Sequence, residues 1–208
     1  MDELSRALDE IAAIRGQMAR VAEFRGYGPA ALMATAGFAL LAGFAQAVWV
    51  PQPLSTPGSY AYLWSVAAAA AAAMIAIEAV ARTRRLHRGL ADVMIRAALE
   101  QFLPAAVAGL LLTLVLLRAA PSSAGLLPGL WQVIFALGVF ATSRFLPRAI
   151  MAVGGWYLAT GLACIAASGD AQALAPWRMA APFAVGQAMA AFILWRASRV
   201  LPEVENGG

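Results

Sequence analysis

Lysine is absent from this 208-residue chain, cysteine and histidine occur once each, and charged residues make up only 12%. Soluble domains carry about 25% charged and roughly 45–50% apolar residues. Here the apolar share is 62% and the mean hydropathy +0.73, so the surrounding medium is mostly lipid. A nucleic-acid enzyme, a disulfide scaffold and a disordered tail are excluded on these grounds. A single Cys164 permits no intrachain disulfide, and a single His87 excludes a bis-His haem and any multi-His metal site built from this chain alone. No cofactor or metal is therefore expected.

Catalytic signatures are missing as well. There is no HExxH, no Gly-x-Ser-x-Gly, no phosphate-binding loop and no CxxC. Ser143 and Ser198 have no nearby base, and His87 has no acid at fixed spacing. An intramembrane hydrolase needs at least a dyad, so a non-catalytic protein is expected. The pI near 10.0 does not point to nucleic acid. All fifteen basic residues are Arg and 51 residues are Ala, a bias that GC-rich coding produces without a functional cause. Arginines flanking apolar spans are topology signals first.

What is present is a series of apolar runs. After Arg25 no charge appears until Glu78, a gap of 52 residues broken by Pro51, Pro53, Pro57 and Gly58. A helix needs about 20 residues to cross the hydrocarbon, so the gap holds two spans. The expectation is an all-α integral membrane protein with six transmembrane helices, at about 29–49, 61–80, 101–118, 127–146, 149–168 and 179–197. They form a domain over 28–200, between a cytoplasmic segment 1–27 and a short tail 201–208. With both termini inside, thirteen Arg residues are cytoplasmic and only Arg118 and Arg178 are outside. The positive-inside rule selects that orientation, N-in and C-in, in a bacterial inner membrane. The first 28 residues hold nine charges and no apolar core, so no cleavable signal peptide is expected. Trp49, Tyr60, Tyr62, Trp64, Trp131 and Trp177 then form an outer aromatic belt, and Tyr27 and Trp195 mark the inner interface.

Small residues recur at i, i+4 spacing in two spans: Ala31, Thr35, Ala39, Gly43 and Ala47, and Gly155, Ala159, Ala163 and Ala167. Both read as packing seams, because small side chains let backbones approach. The second span contains seven consecutive Ala at 67–73 and is the weakest. Shifting the chain by 55 residues aligns Ala120, Pro121, Gln132, Ala136, Ser143, Arg144, Leu146 and Pro147 with identical residues from Ala175 to Pro202, eight matches in 28 positions. A shared span-exit pattern of Arg anchor and terminating Pro accounts for this, as does a duplicated hairpin of the parallel-repeat kind.

Three groups of residues are functional candidates. Leu4, Ala7, Ile11, Ile14, Met18 and Val21 form a heptad seam in an amphipathic helix. Five acids offset four Arg there, which disfavours a membrane-surface helix and favours a protein partner or self-association through residues 1–25. Residues 82–100 read as a second amphipathic helix at the inner interface, interrupted at Gly89. Glu78 is the only acid within a span, and Arg82, four residues on, supplies an inner-face ion pair. Finally, Gln46, Gln132 and Gln187 sit roughly 5, 8 and 12 Å below the outer helix ends. With Arg118 and Arg178 above them they would line a polar vestibule; alternatively each bonds a neighbouring helix. Two functions follow: an accessory, scaffold or sensor subunit that engages a partner through its N-terminal helix, or a small-solute or ion transporter or channel using the vestibule. The bilayer is the expected partner in either case, and nucleic acid in neither.

Overall fold

The structure, a computed structural model, describes residues 28–86, 91–143 and 146–200. The heptad seam of Leu4, Ile11, Ile14, Met18 and Val21 and the tail 201–208 lie outside the described residues, as do His87, Gly89 and Arg144. The described residues form six α-helices and no strand: α1 Pro29–Trp49, α2 Pro57–Leu86, α3 Ala91–Ala119, α4 Leu127–Thr142, α5 Ile150–Ala166 and α6 Trp177–Val200. A 3-10 turn, Pro121–Leu126, leads into α4. Four stretches are long and apolar enough to cross a membrane: Pro29–Trp49, Pro57–Glu78, Pro121–Thr142 and Trp177–Ser198. Two shorter apolar helices, Leu103–Ala119 and Ile150–Ala166, complete the set. The chain is a multi-pass helical membrane protein.

Prolines set most of the helix starts. Pro29, Pro57, Pro121 and Pro128 stand in first turns, where the missing N–H would lack an intrahelical partner anyway. The helical ladder of α2 continues to Leu86, and that of α3 begins at Ala91. Of the segment read as an amphipathic helix over 82–100, interrupted at Gly89, the described residues 82–86 continue α2 and 91–100 belong to α3. Extending an existing helix adds one hydrogen bond per residue, whereas a separate helix requires a new nucleus.

Helices consecutive in sequence are neighbours in space, and α1 closes against α6, so the six form a ring in chain order. The connections 50–56, 120–126 and 167–176 gather at one end, which among the described residues carries only Arg118 and Arg178: the arginine-poor end. There the core unites Ala42, Tyr60, Trp64, Leu127, Leu174 and Met179. Toward the opposite end Leu32, Ala136, Val153, Tyr157 and Ala191 form a second core. The tightest pairs, α1 with α6 and α4 with α5, meet at glycine. A Cβ on Gly43 would stand 2.6 Å from that of Ala180, and one on Gly161 would stand 2.9 Å from the Gly129 carbonyl oxygen.

The two small-residue stripes behave differently. Ala31, Thr35, Ala39 and Gly43 are buried, whereas Ala47, the last of that stripe, is exposed; Gly43 meets α6. Gly155, Ala159 and Ala163 are exposed, and nothing lies within 4 Å of a Cβ built on Gly155. The packed face of α5 is instead Ile150, Val153, Gly154, Tyr157, Gly161 and Cys164. The reading of that stripe as an internal seam is therefore corrected: packing of one apolar helix on another follows steric fit, and an Ala-rich helix offers more than one small face. Outward-facing Leu40, Leu41 and Phe44 on α1 and Leu103, Leu110, Leu111 and Val115 on α3 present apolar surface to the bilayer.

Candidate functional site

Gln46 and Gln132 are both fully buried, at 0% exposure, and both reach one short segment, the entry to α6. Gln46 donates through Nε2 to the Leu174 carbonyl at 2.7 Å and accepts the Trp64 indole N–H at 2.8 Å. It thereby joins α1 to α2 and to the α5–α6 connection. Gln132 on α4 donates through Nε2 to the Arg178 carbonyl at 2.8 Å. Its amide also lies 3.7 Å from Cys164 Sγ and 4.0 Å from Met179 Sδ.

Both carbonyls need an outside donor for a reason written in the backbone. Leu174 precedes the helix, and the Arg178 N–H turns to Ala175 O instead. The Arg178 carbonyl would ordinarily receive the N–H of residue 182, but residue 182 is proline, inside α6. Proline removes that donor and leaves a buried acceptor unpaired. Gln132 supplies the missing N–H. Just past the proline, two carbonyls of α6 also accept from α5: Trp156 Nε1 bonds the Pro182 carbonyl at 2.9 Å, and the Tyr157 hydroxyl approaches the Phe183 carbonyl at 3.4 Å.

Arg178 is 5% exposed and points back over the end of α5. Its Nη1 donates to the Ala167 carbonyl at 2.9 Å and its Nη2 to Asp170 Oδ2 at 3.0 Å. Ala167 is the C-cap of α5, so the guanidinium satisfies an end carbonyl and complements the negative end of the helix dipole. Because the Asp170 side chain is 62% exposed, the ion pair itself contributes only about 0–1 kcal/mol. The fixed position of Arg178 comes from its burial and from the carbonyl.

The remaining vestibule candidates lie elsewhere. Arg118 is exposed in the last turn of α3. Gln187 is half-buried, about two and a half turns beyond Arg178 along α6, and its side chain hydrogen-bonds with Tyr157. The structure therefore brings Gln46, Gln132 and Arg178 together and leaves Arg118 and Gln187 apart. Gln132 and Gln187, equivalent under the 55-residue shift, have different partners. Glu78 rests its carboxyl group against Gly28 at the start of α1, with Oε2 buried and without a hydrogen-bond partner among the described residues. The side chain of Arg82 lies outside the described ones, so the pair with Glu78 stands as an expectation.

Several residues of this site escaped the sequence reading. Tyr60, Trp64 and Trp131 were expected in an outer belt; Tyr60 and Trp64 are buried, and Tyr60 stacks on the half-buried Trp131 at 6.1 Å between ring centroids. Trp131 also donates to Thr113 Oγ1 at 2.8 Å, tying α4 to α3. Trp49, Tyr62 and Trp177 do face outward. Pro182 was the available signal, since a proline inside a span implies a donor from a neighbouring helix. Among the described residues no group of three or more His, Cys, Asp or Glu side chains could hold a metal ion. In comparisons with protein-family models, curated proteins and solved structures, the chain matches none.

Proposed function

We propose that this protein is a non-catalytic accessory, scaffold or sensor subunit of a bacterial inner membrane, and that residues 1–25 engage its partner. In this reading all six helices cross the bilayer, both termini are cytoplasmic and the arginine-poor end faces outward. The thirteen-to-two division of Arg residues supports the orientation. The observation that carries the functional reading is the state of the polar side chains at the arginine-poor end. Gln46, Gln132 and Arg178 hold helices and connections to one another, and the amides that would line a solute path are engaged in internal bonds. A transporter would have to break at least two buried hydrogen bonds to expose them, each release costing on the order of 1–3 kcal/mol.

The heptad seam is where this proposal is tested. Ile11→Asp with Ile14→Asp places two carboxylates in what would be a desolvated contact, and an unpaired buried charge costs several kcal/mol. The double variant is expected to insert normally, because every span and every inner Arg remains, but to lose its partner or higher oligomer on native gels and in crosslinking. If variant and wild type run as the same monomer with identical co-purifying proteins, the accessory-subunit proposal fails.

A further inference from the structure

Between α3 and α4 a groove of about 280 Å³ opens outward, along the half of the pair that lies toward the arginine-rich end. In the other half the two helices are joined. Trp131 donates to Thr113 Oγ1 at 2.8 Å, and a Cβ on Gly109 would meet Ile134 Cγ2 at 4.0 Å. Beyond that point the lining residues are mostly small: Pro104, Ala105 and Ala108 on α3, and Gly138 and Ala141 on α4, with Leu137 beside them. Side chains this short leave the space between the helices unfilled. The large side chains of α3 do not supply the difference, since Leu103, Val107, Leu110 and Leu111 are exposed on a neighbouring face.

The shape and lining of the groove define its occupant. Every lining side chain is apolar, so neither water nor a polar solute finds side-chain partners there. Gly138 is buried at its floor, while Pro104, Ala108, Leu137 and Ala141 are exposed at its mouth. That mouth is continuous with the bilayer-facing surface of Leu103 and Val107. From Ile134 to Ala141 the groove extends roughly 10 Å along α4, at 1.5 Å per residue. A helix about 10–12 Å in diameter would fill roughly 1,000 Å³ over that length, several times the space present, so a helix of a partner or of a second copy cannot be seated in it. A single hydrocarbon chain is apolar, narrow and flexible, and it is what the adjoining medium supplies. The phosphate of its lipid then falls at the arginine-rich end, where Arg148 is exposed just beyond α4.

We propose that the α3–α4 groove is a binding site for one acyl chain of a phospholipid from the leaflet at the arginine-rich end, held by the protein after the surrounding bilayer is removed. The chain lies over Gly138 between the walls formed by Pro104, Ala108 and Ala141, and restores the dispersion contacts that the short side chains leave unmade. It joins α3 to α4 where no side chain does. Outward faces such as Leu40, Leu41 and Phe44 touch a lipid from one side only, and they exchange it freely. The site is independent of residues 1–25 and of which end faces the cytoplasm.

Photocrosslinking tests the site on the full-length protein. The protein is reconstituted with phosphatidylglycerol carrying a diazirine in one acyl chain, extracted into mild detergent, purified and then irradiated, so that only retained lipid reacts. Peptide mapping by mass spectrometry is expected to find the adduct on 104–108 and 134–141, several-fold above the α1 face of Leu40, Leu41 and Phe44. Ala108→Phe with Ala141→Phe fills the groove and should lower the yield several-fold, whereas Leu41→Phe, on the outward face of α1, should leave it unchanged. Adducts spread evenly over the outward faces overturn the proposal, as does an undiminished yield in the filled variant. So does the absence of any adduct, the result expected if another protein surface covers the groove. The wild-type map decides even if the filled variant does not fold.

Discussion

Gln132 acts as a substitute for a backbone donor. Its amide gives the Arg178 carbonyl the N–H that Pro182 removed. Gln132→Leu should therefore lower stability by on the order of 1–3 kcal/mol, the cost of a buried acceptor left unpaired. Gln187→Leu should cost less, because Gln187 is only half-buried and Tyr157 keeps the Phe183 carbonyl within reach. A double-mutant cycle isolates the cause. In a Pro182→Ala background residue 182 can again donate to Arg178, and Gln132→Leu should lose much of its effect on thermal stability in detergent. An unchanged cost in that background would show that Gln132 matters for another reason. Gln46 works on the same principle for the carbonyl of Leu174, with Trp64 filling its remaining acceptor.

At the scale of the helix, α5 carries two small-residue faces and uses one internally. Gly161 meets the backbone of α4, with the Gly129 oxygen 2.9 Å from where a Cβ would stand, while Gly155 opens onto free space. Gly161→Leu should destabilise the protein by about 1–3 kcal/mol or more through overpacking. Gly155→Leu should leave the monomer's thermal midpoint essentially unchanged. Comparable losses from both would mean that the exposed stripe of Gly155, Ala159 and Ala163 is covered in the protein as purified. Helix α2 has a related asymmetry: Tyr60, Ala61 and Trp64 are buried, whereas Ala68, Ala69, Ala70, Ala72 and Ala73 are exposed. Toward the other end Ile75 packs against the second core and Glu78 against Gly28.

Considered whole, the ring places Ser55 and Ser122, both exposed, in connections at the arginine-poor end. Cysteines introduced at these positions should react with an impermeant thiol reagent added to intact cells, while a cysteine at Ser5 should not. The native Cys164 is buried and should contribute little background. Labelling at Ser5 would reverse the orientation and place the Gln46–Gln132–Arg178 assembly at the cytoplasmic face.

Membrane character, the six helices and the division of arginine between the two ends were legible along the chain. Hydropathy, proline placement and charge are one-dimensional properties, and insertion responds to each directly. The span read over 29–49 and the helix Pro29–Trp49 coincide because Pro29 and Pro51 mark both limits locally. Which way each helix faces was decided only in three dimensions. A soluble helix advertises its buried side by an apolar stripe, but lipid is as apolar as a protein core, so a span can be apolar all round and no stripe is required. Hence Gly155 and Gly161 look alike in sequence and differ in environment. The same holds for Gln132 and Gln187: shared spacing could not show that one answers a proline's missing donor and the other a tyrosine hydroxyl. That distinction arises from the packing of α4 and α5 against α6, where each buried polar atom must find a partner from whichever helix lies beside it.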